Sequence, residues 1–194
     1  MGGVTVTASP PARPKHGDAW TIEDLVDLPD DGNRYEILDG SLLVTPPADN
    51  FHFRVASKLA KQLIRSAPDH LIASTAGLGV NIHNRRTYYI PDVIVVGPAA
   101  FETPALAVEP STVLLVVEVL SPSNSQRDLV VKRHDYAMAG IPQYWIVDQE
   151  AQALTVLTLD EPGRRYVESA VVRPGERWKT DEPFPVTVDL AEIF

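Results

Sequence analysis

Val113-Leu114-Leu115-Val116-Val117 is an unbroken apolar run that closes on Glu118 and continues as Val119-Leu120-Ser121-Pro122-Ser123. Such a run reads as a buried strand, and a buried strand commits the chain to a sheet with cover on it. A carboxylate at its mouth is costly without a partner. Two segments offer one. Tyr88-Tyr89-Ile90-Pro91-Asp92-Val93-Ile94-Val95-Val96 is a second apolar strand with an acid at its entrance. Asp128-Leu129-Val130-Val131-Lys132-Arg133-His134-Asp135-Tyr136 is a helix carrying a lysine.

Two carboxylates held close together repel, so one takes up a proton or both share a cation. A hard divalent ion suits the second arrangement, because Mg²⁺ binds through one or two carboxylates, waters and substrate phosphate oxygens and activates a bound water. Asp92 and Glu118 are thus candidate metal ligands. Lys132 is the candidate clamp for a scissile phosphate, and a desolvated lysine, with its pKa lowered, helps to deprotonate the attacking water. Each residue also has a plain structural reading. Pro-Asp is a common strand entrance, an acid ending a strand often just emerges into solvent, and a helix lysine is usually on a solvated face.

The motifs Tyr35-Glu36-Ile37-Leu38-Asp39-Gly40, Pro91-Asp92-Val93, Glu118-Val119-Leu120-Ser121-Pro122-Ser123, Asp128 with Lys132 and Tyr136, and Gly140-Ile141-Pro142-Gln143-Tyr144-Trp145-Ile146-Val147-Asp148 together resemble the Uma-type restriction endonuclease family. That family lies within the PD-(D/E)XK nuclease superfamily, and the resemblance covers about Thr21 to Leu159. It implies a restriction-endonuclease-like mixed α/β fold, a central mixed sheet flanked by helices, and Mg²⁺-dependent DNA cleavage with Mn²⁺ as a substitute. It implies Glu36 as an assisting acid, whose structural reading is a cross-strand partner for arginine, and the Val119 carbonyl as a third metal ligand beside Asp92 and Glu118. The superfamily lysine two residues after the acid is absent, since Leu120 stands there, and the resemblance assigns its role to Lys132. Asp128, Lys132 and Tyr136 fall at i, i+4 and i+8 on one helix face. The alternative is a catalytically inactive binding or scaffold module that keeps the fold and uses the acids and lysine as a structural ion network.

The chain of 194 residues, 44% hydrophobic, suffices for a single compact domain over residues 20–194, after a proline-broken tail at 1–19 expected to be disordered. Zero cysteines exclude disulfides, thiolate metal sites and a cysteine nucleophile. Neither a signal peptide nor a stretch of about 18 apolar residues is found, so no membrane partner and a cytoplasmic location are expected. Net charge runs against DNA as a partner: 26 acids face 17 bases, giving −9. The distribution is uneven, however. Arg54, Lys58, Lys61 and Arg65 recur at helical spacing in an acid-free segment, which lines either a solvated face or a phosphate-contacting stripe. A homodimer is expected, since cutting both strands with one site per chain is simplest with two chains.

Local signals place the elements. Thr21 and Asp24 form a capping box before a short helix, and Asp39-Gly40 joins two strands as a hairpin. Strands are expected around 72–82 and 87–96, a helix from near Asn124 capped by Ser125 and Asp128, and a strand at 144–147 parallel to 113–120. The remainder reads as β structure over 153–159, 165–172 and 186–190. His52 opens the basic helix and reads as a local polar contact outside the catalytic set.

Overall fold

The computed structural model describes residues 14, 17–75, 77–120, 126–160 and 162–194, with the side chains of 126–128 outside that description. Most of the tail expected at 1–19 therefore lies outside it, as do Ser121–Ser125 and the capping side chains of Ser125 and Asp128.

Thr21 donates its backbone N–H to Asp24 Oδ2 at 2.9 Å, opening a 3₁₀ helix at Ile22–Asp27. The strands β1 (Arg34–Leu38) and β2 (Ser41–Thr45) pair antiparallel. Their turn residues Asp39 and Gly40 both take positive φ, 44° and 78°, as a two-residue hairpin requires. Next, α1 (Asn50–Ser66) is capped by Asp49, whose side chain accepts from the His52 amide. Short strands follow: β3 (Ile72–Ser74), β4 (Val80–His83), β5 (Thr87–Tyr89) and β6 (Val93–Val96). The long strand β7 (Val113–Leu120) leads to α2 (Gln126–Met138) and β8 (Gln143–Asp148). The chain ends with β9 (Ala153–Asp160), β10 (Arg165–Val172), β11 (Arg177–Thr180), β12 (Val186–Asp189) and the short α3 (Leu190–Ile193). Among the described residues no helix is long and apolar enough to cross a membrane.

Six strands form the main sheet in the order β10-β9-β8-β7-β6-β3, and four form a second in the order β2-β1-β5-β4. The apolar run is the interior of the main sheet. There β7 pairs antiparallel with β6 and parallel with β8, the parallel step made through α2 as expected. Successive side chains of a strand point to opposite faces. Leu115, Val117 and Val119 thus join Val55, Leu59 and Leu63 of α1 in one core, while Val116 joins Ile94, Tyr136 and Tyr144 in another beneath α2. Glu118 falls on the α2 side.

Two expected ranges divide, 72–82 into β3 of the large sheet and β4 of the small one. The segment 88–96 is two strands rather than one, with β5 in the small sheet and β6 in the large one. Pro91 has no N–H for a ladder bond, so the chain leaves one sheet at Ile90 and enters the other at Asp92. Asp92 thereby stands at the junction of the two sheets, its own amide bonded to the Val117 carbonyl at 3.0 Å.

Candidate active site

Asp92 and Glu118 sit at adjacent strand ends, because the pairing of Val93 with Val117 sets them opposite each other. They do different things. Asp92 is buried, its side chain 2% exposed, and both oxygens are engaged. Its Oδ1 accepts from Arg34 Nη2 at 2.8 Å and Oδ2 from the Val119 N–H at 2.7 Å. His52 Nε2 also lies 3.1 Å from Oδ1, but off the line of a well-formed hydrogen bond, so both ring nitrogens lack a good partner. Burial works against ionising Asp92. The His52 contact, the Arg34 charge and the Val119 amide outweigh it and hold the carboxyl down to about 2.

Glu118 shares one cation. Lys132 Nζ lies 3.0 Å from Glu118 Oε1 and 3.0 Å from Glu36 Oε1. The Tyr136 hydroxyl donates to the same Glu118 oxygen at 2.9 Å, and the Ile90 amide donates to Glu36 at 2.8 Å. Burial, with Asp92 and Glu36 adding to it against Lys132, pushes the Glu118 carboxyl up to about 7. Lys132 moves the other way from expectation. Desolvation does lower its pKa, but the two carboxylates raise it by more, which favours the ammonium form over a free amine. Its ammonium also lies 5.2 Å from the centre of the Tyr89 ring.

These groups meet at a cleft of about 260 Å³ lined by Arg34, Glu36, Glu118 and Lys132, with Val119 and Tyr89 on the wall and leucines of β2 and α2 around the rim. Asp92 lies behind that wall. The reach of each group follows from its element: Arg34 and Glu36, two residues apart on β1, project to one side, and Lys132 and Tyr136, one helical turn apart on α2, meet Glu118 together.

The sequence-derived candidates divide accordingly. Glu36, Asp92, Glu118, Val119 and Lys132 are brought together. Arg54, Lys58, Lys61 and Arg65 are exposed on the outward face of α1, away from its core side, and none lines the cleft. Arg34 is a cleft residue that no sequence motif singles out, though its i, i+2 relation to Glu36 is the signal that would have found it. His52 is more than a local polar contact: its spacing from Val55 and Leu59 puts it on the buried face of α1 and so against Asp92.

Among the described residues no three of His, Cys, Asp and Glu form a ready-made metal cage; Lys132 bridges Glu36 and Glu118, and Arg34 holds Asp92. The donors nonetheless suit a hard divalent cation in kind. Three carboxylates share two fixed cations, and Glu118, pushed toward neutrality, is the one short of positive charge.

A mixed sheet with flanking helices, carrying acids and a helix lysine to one cleft, defines a mixed α+β protein. A solved structure from Anabaena variabilis, titled as "a putative nuclease belonging to DUF820", superposes with a TM-score of 0.66 at 16% identity, covering 90% of this chain and 97% of that one. At that identity the likeness establishes the fold. The family comes from the sequence: the model of the Uma2 family, described as "Putative restriction endonuclease", matches residues 22–191, and the chain belongs to that family. No curated protein matches it.

Proposed function

We propose that the protein is a Mg²⁺-dependent DNA endonuclease that hydrolyses phosphodiester bonds with water, Mn²⁺ being able to substitute. The observation that carries this reading is Lys132 held 3.0 Å from both Glu36 and Glu118 on the wall of a cleft. Glu118, Asp92 and the Val119 carbonyl would hold the ion. When bound, the ion supplies Lewis-acid stabilisation of the phosphate and a lower pKa for water.

The chain's own groups do the rest. Lys132, kept protonated by two acids, holds the scissile phosphate and offsets the charge that builds on it. Glu36 shares that ammonium and fixes its position. Tyr136 holds one oxygen of Glu118 and leaves the other for a ligand.

The test is a plasmid-nicking assay in Mg²⁺, with and without chelator, on the wild type and on Glu118→Gln. Chelator-sensitive nicking by the wild type, with a folded but inactive variant, is expected. Wild-type protein that never nicks single-stranded, branched or duplex DNA in either Mg²⁺ or Mn²⁺ would favour a network that serves only the fold.

A further inference from the structure

Arg34 is the side chain that joins Asp92 to the cleft. It stands on β1 of the small sheet and Asp92 at the head of β6 in the large one, so their 2.8 Å bond crosses between sheets. The arginine side chain is 29% exposed and lines the cleft, whereas Asp92 is 2% exposed and does not. Nη1 donates to the Ile90 carbonyl at 3.2 Å. These two bonds leave further donors of the guanidinium fork for a phosphate, which such a fork grips in the same bidentate way as a carboxylate. A guanidinium and a divalent ion on one carboxylate also repel each other.

We infer that Arg34 couples substrate to metal: it holds Asp92 until a phosphodiester entering the cleft draws the guanidinium away and frees the carboxylate for the cation. This rests on the nuclease reading above. By linkage, a phosphodiester that tightens metal binding must itself be tightened by the metal to the same degree.

Mn²⁺ binding to the full chain, followed by electron paramagnetic resonance of the free ion, measures the first half. Anisotropy of a labelled phosphorothioate oligonucleotide, with and without Mn²⁺, measures the second. In the wild type, Mn²⁺ should raise oligonucleotide affinity by about fivefold or more, the lower end of ordinary coupling between sites. Arg34→Gln should bind Mn²⁺ more tightly without oligonucleotide and lose the enhancement, a pattern that a purely structural ion pair does not produce. If that variant does not fold, Arg34→Lys keeps a charge beside Asp92 without the fork, and should show a weaker enhancement than the wild type. A folded Arg34→Gln protein that binds Mn²⁺ no more tightly than the wild type, or an enhancement unchanged in either variant, overturns the inference and leaves the nuclease reading standing. Wild-type protein that binds no Mn²⁺ with or without oligonucleotide overturns both.

Discussion

At the scale of single residues, two acids on successive strands of the main sheet, side by side in space, have opposite pH behaviour. Asp92, lowered in the folded chain from 3.8 to about 2, adds stability above pH 3.8 that is lost as pH falls through its folded value, worth about 2 kcal/mol. Glu118, raised from 4.5 to about 7, gives its full contribution below pH 4.5 and loses it as pH rises through neutrality, about 3 kcal/mol. As far as these two groups set it, the melting temperature should be highest between pH 3.8 and 4.5. Glu118→Gln should remove the decline toward neutrality, and a wild-type profile already flat from pH 4.5 to 7 would contradict the assignment. Lys132→Met is a different experiment from the one its sequence position invites. The lysine is no solvated helix residue: its side chain is 12% exposed and paired twice. Its loss leaves two acids without their shared cation and should lower stability by roughly 3–5 kcal/mol, read by denaturant melts, whatever its role in chemistry. Activity lost in this variant is therefore weaker evidence than activity lost in Glu118→Gln.

At the scale of elements, α1 separates its tasks by face. Leu59 is fully buried between α1 and the sheet, so Leu59→Ala should cost about 2–5 kcal/mol in chemical denaturation. Lys58 and Lys61 are exposed, and their joint change to Gln should move stability by less than about 0.5 kcal/mol. If the outward face meets phosphates, the same double change should reduce the slope of log affinity against log salt by about 1 for each phosphate no longer neutralised; an unchanged slope assigns that face to solvent alone. The helix, the Asp39-Gly40 hairpin and the parallel pairing around α2 were legible because each is set by local periodicity, turn chemistry or chain order. The break at Pro91 was not, since which sheet a strand joins is decided by partners far along the chain. The same reason hid the environment of Asp92. Arg34 lies 58 residues away from it, and nothing in the local pattern of β1 announces that pair. Asp92, Glu118 and Lys132 were legible as types, an acid at each of two strand ends and a lysine on the next helix, whereas the raised pKa of the lysine comes from Glu118 together with Glu36, which arrives from the other sheet.

At the scale of the whole molecule, the chain carries a net charge of −9, so an oligonucleotide meets repulsion everywhere except at local basic points. Affinity should fall with added salt less steeply than for a basic DNA-binding domain, since few phosphates are neutralised in the complex. We expect a homodimer, and light scattering should give a mass near twice 21.3 kDa; a single-chain mass at micromolar concentration, with and without DNA, would rule it out.

Asp92 sits where two sheets meet, and this has a consequence for how the molecule is made. Its partners come from β1, α1 and β7, and β7 is itself held between an earlier antiparallel strand and a later parallel one. Pairings of such sequence separation form late, after the loops between them have closed. Once the fold is complete, the Val119 amide, buried in the sheet and bonded to the Asp92 side chain, should be among the last protons to exchange with deuterium. A chain still emerging from the ribosome, with α2 and β8 unmade, has the acids but no site, and would begin to carry one only on completing its fold.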